Sequence, residues 1–187
     1  MTYDGPADAT SPAARTGGLP LLPAGAKWPT CAECEGPLLF LAHIPLADGP
    51  ALEIFMCDND SGLCDSWVPD GGANAVLVAE GELVPLPAPA DGETQLAEVS
   101  AIRLSHSDDE YGDALPDREV LGQLAGEPGW IQDDETPHCP DCGEEMEFAV
   151  QLEQGHDHVT EINFGGGGSG YAFLCRPCER GTFLYQC

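Results

Sequence analysis

Eight of the nine cysteines in this chain fall into four short pairs: Cys31-x2-Cys34, Cys57-x6-Cys64, Cys139-x2-Cys142 and Cys175-x2-Cys178. Two turns that each offer two thiolates, brought together by neighbouring strands, make a closed tetrahedral site of the kind that holds structural zinc. The expectation is two structural Zn2+ ions. One sits on Cys31, Cys34, Cys57 and Cys64, the other on Cys139, Cys142, Cys175 and Cys178. The six-residue gap before Cys64 is unusual, so His43, Asp58 and Asp60 stand as alternatives for the fourth ligand of the first site. Pairing within each half is the simpler arrangement, although spacing alone does not forbid an exchange between halves. Cys187 is left over as a free thiol.

Rival thiol chemistries fit less well. A redox CxxC is one pair that opens a helix, with the low-pKa thiol at the helix start; here there are three CxxC pairs, and none clearly opens a helix. A zinc deaminase needs H-x-E and P-C-x-x-C, and neither string is present. Catalytic zinc keeps one position for water, whereas four thiolates close the shell. An iron–sulfur cluster uses the same donors and is the minor alternative. The metal therefore reads as a staple, and structural zinc contributes about 10–16 kcal/mol of apparent binding energy to folding. Each zinc centre with four thiolates carries a formal charge of −2, which would take the chain from −27 to −31.

The elements that must position these thiols are repeated. With a shift of 108 positions, Pro29, Cys31 and Cys34 fall on Pro137, Cys139 and Cys142, and Leu38, Phe40, Ala42 and Ile44 fall on Met146, Phe148, Val150 and Leu152. A spacing of two predicts a strand with one buried face. Glu145, Glu147 and Gln151 are expected to meet water, whereas Leu39 and Leu41 bury both faces of the first copy. A second strand in each half ends on a cysteine, "EIFMC" and "YAFLC". "NAVLVAEGELVPL" and "VSAIRL" read as further strands, and "APADGE" as a turn. "SHSDDEYGDALPD" reads as an exposed acidic loop. "DREVLGQLAG" is the best helix candidate, capped by Asp117 and ended near Gly126. Residues 1–17, rich in Ala, Pro, Ser and Thr, read as a disordered tail.

Composition limits the partners. There are 33 acidic and 6 basic residues in 187, a balance that repels phosphate backbones and anionic membranes and attracts basic proteins. Only Arg176 and Arg180 lie near a thiol pair, so nucleic-acid binding is not expected. The N-terminus lacks the apolar segment of a secretory signal, and no run approaches the roughly 18 apolar residues of a membrane span. Nine cysteines without a signal point to a reducing, cytoplasmic setting. "FGGGGSGY" satisfies GxGxxG through Gly165, Gly167 and Gly170, but a strand follows it where a dinucleotide site needs a helix. His156 and His158 with Glu161 read as a solvated loop, and His138 either supports Cys139 from outside the ligand set or is simply exposed. There is no HExxH or GxSxG, and the carboxylates are too numerous to single out an acid and a base. The chain is not expected to be an enzyme.

"GGLPLLPAGAKWPTCAECEGPLLFLAHIPL" is similar to the opening signature of the bacterial YwqG-like proteins, a family of unknown biochemical function. The matching positions are Gly17, Gly18, Pro20, Pro23, Trp28, Pro29, Pro37, Leu38, Phe40 and Leu41. "GEPGWIQ", "GYAFLC" and "FLYQ" resemble later segments of that family. The opening, with its thiols and the later "FMC…C", also resembles the eukaryotic programmed-cell-death-two family, associated with escorting a basic protein of the small ribosomal subunit. The resemblance implies a mostly β, internally duplicated fold and a binding role. Zinc would be an optional staple, since some YwqG-like proteins lack the cysteines. Members near secreted toxins suggest immunity proteins.

The expected architecture is α+β, mostly β, an internally duplicated sheet-rich fold with two zinc-knuckle sites of four cysteines each and little helix. A single domain spans 18–187, with a first repeat at about 18–70, a connection at 71–117 and a second repeat at about 118–187. The expected function is a zinc-stabilised, acidic cytosolic module that binds a basic protein as chaperone or adaptor. Asp108, Asp109, Glu110, Asp133, Asp134 and Glu135 are its candidate contacts. An immunity protein that neutralises a toxin and an enzyme with an unrecognised site are the alternatives. The sequence leaves oligomeric state open.

Overall fold

A computed structural model describes residues 1–47, 49–59, 62–106 and 118–187. In chain order the strands are β1 (Thr2–Pro6), β2 (Arg15–Thr16), β3 (Leu21–Pro23), β4 (Leu39–Pro45), β5 (Ala51–Met56), β6 (Asn74–Ala79), β7 (Leu83–Pro85), β8 (Ser100–Arg103), β9 (Gly122–Leu124), β10 (Glu147–Leu152), β11 (Ser169–Cys175) and β12 (Arg180–Gln186). Among the described residues the only helical element is a 3-10 turn, Arg176–Cys178. Ten strands form one sheet in the order β1-β8-β2-β4-β5-β6-β12-β11-β10-β9, while β3 and β7 pair separately. The large sheet curls until its edges nearly meet. Thr2 bridges Val120, the Tyr3 N–H donates to Glu119 O at 2.7 Å, and the Leu121 N–H donates to Met1 O at 3.0 Å.

The duplication is carried by backbone geometry more closely than by side chains. Arg15 and Thr16 pair with His43 and Ala42, and 108 positions later Gln123 and Leu124 pair with Gln151 and Val150. The bridge Thr30–Pro37 recurs as His138–Glu145. A register shift between Phe40 and Ala42 recurs between Phe148 and Val150. Each half is a three-stranded meander, β4-β5-β6 and β10-β11-β12, and the two meet where β6 and β12 run antiparallel. Gly181 stands at that contact because a Cβ there would collide with the side chain and carbonyl of Val76.

The register shift corrects the single apolar face expected of β10, whereas β4 is buried on both faces as expected. A bulge places one extra residue in a strand and turns the residues after it to the other side. Leu38 and Phe40 pack outward beneath the first thiol set, whereas Leu39, Leu41, Ala42 and Ile44 pack inward. Met146 and Phe148 face outward in the same way, and Ala149, Val150 and Leu152 inward. One interior cluster is thus shared by both halves, and each half adds an outer cluster of its own.

Three further expectations are corrected. Residues 1–17 form β1 and β2 with their connection, and Arg15 is fully buried. Its Nε donates to Ser11 O at 2.9 Å, its two terminal nitrogens donate to Gly17 O and Leu19 O, and the guanidinium stands 5.6 Å above the Phe40 ring. A low-complexity composition is ordered here by one cation that gathers three carbonyls. "REVLGQLAG" forms a turn, a bridge at Val120 and β9, because Gly122 is pressed against Gln151 O with φ +132° and Ala125 and Gly126 also take positive φ. Asp117 and the acidic loop with Asp108, Asp109 and Glu110 lie outside the described residues. Gln151 is 2% exposed; its amide accepts from Gly129 N and Gln123 Nε2 and donates to Glu153.

Beside Arg15, His43 Nδ1 lies 2.5 Å from Glu53 Oε1, and burial raises the Glu53 carboxyl above its usual range. The substitution Arg15→Ala strips this pocket of its cation and is expected to cost about 3–5 kcal/mol in denaturant unfolding. Limited proteolysis of the variant should move to the first 20 or so residues. Unchanged stability and cleavage would show that Arg15 does not hold the segment.

Candidate metal centres

Each thiol set begins with a turn held by the same bonds. The Cys31 N–H donates to Gly36 O at 2.8 Å and the Glu35 N–H to Cys31 O at 3.0 Å; in the second copy Cys139 donates to Glu144 O at 2.8 Å and Gly143 to Cys139 O at 2.7 Å. The turn needs positive φ just after its second cysteine, met by Gly143 at +78° and by Glu35 at +61°. The second pair comes from the end of the neighbouring strand. Cys57 follows β5, and its N–H donates to Ala73 O at 2.7 Å. Cys175 ends β11, and Cys178 lies in the 3-10 turn that reverses the chain into β12.

The structure brings Cys31, Cys34, Cys57 and Cys64 together in one group and Cys139, Cys142, Cys175 and Cys178 in the other, with the sulfurs of each group all within 4.8 Å of one another. Cys34 and Cys57 are 3.7 Å apart, as are Cys142 and Cys175. Four sulfurs placed tetrahedrally at about 2.3 Å from an ion are about 3.8 Å apart, so the donor sets fit a thiolate-bound metal. Pairs are not exchanged between halves. Cys64 fills the fourth place of the first set, on a loop tied to the knuckle by the Asp65 N–H donating to Glu33 Oε1 at 2.7 Å. The alternatives lie elsewhere: His43 is engaged by Glu53, Asp58 accepts from Asn163, and Asp60 is outside the described residues.

The two sets differ in shelter. In the first, three cysteines are buried and Cys34 is intermediate; in the second, Cys142 is exposed. Among the described residues, only the first has a side-chain amide on its sulfurs: Asn59 Nδ2 lies 3.5 Å from Cys57 Sγ and 3.7 Å from Cys34 Sγ while donating to Pro37 O at 2.9 Å. Sequence reasoning did not single out Asn59, whose signal is its place two residues after a ligand. Trp28 meets Phe55 edge-on beneath the first set, and Trp130 packs on Tyr171 and Phe173 beneath the second. The two tryptophans are not related by the 108-residue shift, so the repeat did not reveal their common role.

Proton affinities are divided within each set. The Gly36 N–H lowers the Cys34 thiol, and burial raises Cys57 and Cys64. Burial opposes ionisation of Cys139, but the N–H groups of Cys142 and Asp141 outweigh it and bring this thiol to about 7. Cys178 is pushed up to about 12 by its contacts with Cys142 and Cys175. A metal ion must therefore displace protons to enter, and acid competes with it.

The remaining candidates stay apart from the thiols. His138 is exposed and donates from Nδ1 to Gly143 O. His156 stacks on Tyr3, with ring centroids 3.6 Å apart. The glycines at 165–167 form a turn that leads into β11, with no helix after it. Cys187 is exposed.

No protein-family model matches the chain, and no solved structure matches it. The chain is similar to a curated protein of Salmonella typhimurium (strain LT2), described as uncharacterized protein YpfL, with 36% identity over 67 residues. The match covers 36% of this chain and 15% of that protein.

The geometry makes the second centre the more labile. Purified protein is expected to hold two metal equivalents per chain and to lose them to a chelator in two phases, with the centre bearing Cys142 emptied first. Asn59→Ala should speed only the slow phase, by about tenfold. A single phase, or a fast phase that responds to Asn59, would contradict the assignment. Lowering the pH should weaken metal retention at both centres and raising it should strengthen it, read as protons released on loading the apo protein.

Proposed function

We propose that this chain is a zinc-stapled module that holds a basic protein partner on an acidic surface in a reducing, cytoplasmic setting, as chaperone or adaptor. Zinc suits the donor set because four thiolates in tetrahedral array match its preference and leave no position for a reacting water. The metal's role in this reading is to shape and support the surface. The similarity of the opening segment to YwqG-like proteins, and through it to the programmed-cell-death-two family, supports a binding role on a duplicated β scaffold.

The observation that carries the partner's chemistry is the charge of −27, with 33 acidic residues against 6 basic ones. The segment before the second knuckle keeps Asp133, Asp134 and Glu135 exposed, fastened by the Gln186 side chain, which donates to Asp133 O and to Glu135. Its N–H groups at Ile131 and Gln132 donate back to Gln186 Oε1. These carboxylates are presented on backbone that is held in place.

The test is copurification from the native host at low ionic strength, with mass spectrometry of the retained proteins. One stoichiometric basic protein is expected, and its affinity should fall about tenfold or more between low and moderate salt. An affinity indifferent to salt, or retention of no basic protein, would contradict the proposal.

A further inference from the structure

The two meanders meet along β6 and β12 at one register position, Gly181 opposite Val76, whereas β5 pairs with β6 at six positions and β11 with β12 at seven. Where β6 and β12 part, a groove of about 540 Å³ opens, with Gly72 and Asn74 of the first half on one side and Asp141 and Cys178 of the second on the other. That volume lies in the range of ligand-binding sites, about 300–1,000 Å³.

Three features of the lining point to one occupant. Thr182 is 2% exposed, lines the groove, and among the described residues its Oγ1 has no hydrogen-bond partner, as is also true of Arg180 Nε. Native proteins rarely leave buried donors unmet, and groups that do remain call for an explanation. The rim is acidic. Arg180 reaches Asp70 at 3.3 Å and Asp141 at 3.7 Å, and Glu179 also borders the groove, so one cation answers three carboxylates. Leu77 also lines the groove and gives it an apolar wall.

We propose that this groove seats an extended peptide segment bearing Lys or Arg. A backbone carbonyl of the segment accepts from Thr182 Oγ1 and Arg180 Nε, its cation lies among Asp70, Asp141 and Glu179, and an apolar neighbour packs on Leu77. The inference rests on the basic-partner reading and places that partner at the junction of the two halves. An anionic ligand would meet the surplus of carboxylates.

The experiment uses full-length, zinc-loaded protein and a fluorescein-labelled peptide of alternating Val and Arg, read by fluorescence anisotropy. The pair Asp70→Asn with Asp141→Asn is compared with Glu127→Gln and Glu161→Gln, an equal change of charge at residues that do not line the groove. The groove pair is expected to weaken binding about tenfold or more, and the control pair much less. Thr182→Val keeps the side-chain shape and removes a hydroxyl that bonds nothing among the described residues. It should leave the melting temperature unchanged or higher while weakening the peptide about fivefold. Equal loss from both pairs, no effect of Thr182→Val, or no peptide binding at low salt would overturn the groove assignment. None of these outcomes bears on the basic-partner reading, which falls if the host yields no basic protein or if the partner's affinity is indifferent to salt.

Discussion

The closure of four sulfurs on one point is the interaction on which the rest of this structure hangs. Each knuckle covers the outer face of its meander, and the outer clusters are built largely from the cysteines and the residues behind them, such as Leu38, Phe40 and Phe55 in the first half and Met146, Tyr171 and Phe173 in the second. Without an ion these layers are small, their thiols share protons unevenly, and the chain around them is strongly acidic. With an ion, two distant turns become one rigid corner, and binding energy becomes folding energy. Loops rich in glycine and proline can then hold a defined shape where apolar burial alone would give little.

Duplication explains how the corners are placed, and divergence explains why they differ. The two halves share the knuckle bonds, the bulge and the strand pairings. They fill the row beneath with different chemistry: Arg15, His43 and Glu53 across β2, β4 and β5, against Gln123, Gln151 and Tyr171 across β9, β10 and β11. The ionic row pins down the first segment of the chain. The neutral row pins Gly129 and Trp130, since the Gln151 amide accepts from Gly129 N and Tyr171 donates to Gly129 O. One scaffold therefore clamps two unrelated strap segments, one across each half.

The thiol groups and the repeat were legible in the sequence because three of the four pairs keep the CxxC spacing and a 108-residue offset aligned several residue types at once. The strands around "FLAHIPL" and "FAVQL" were also legible as elements. Their faces were not, since a bulge at Leu41 and Ala149 reverses the alternation without changing composition. The ordered N-terminal segment was hidden because its anchor is a single arginine that satisfies backbone carbonyls, and composition does not register that. The apparent helix at 117–126 failed for a related reason: over its described residues Gly122 answers to Gln151 on a neighbouring strand and not to a helical turn. Asn59 was invisible because it coordinates nothing and acts only on sulfurs already in place.

If both four-cysteine groups are closed staples, each holds zinc through sulfur alone. The decisive measurement is X-ray absorption at the zinc edge on the purified protein, with total metal measured on the same sample. Two zinc ions per chain are expected, each with four sulfur neighbours at about 2.3 Å and no lighter scatterer in the shell. A nitrogen or oxygen neighbour, one ion per chain, or iron in place of zinc would show that the groups are not closed zinc staples.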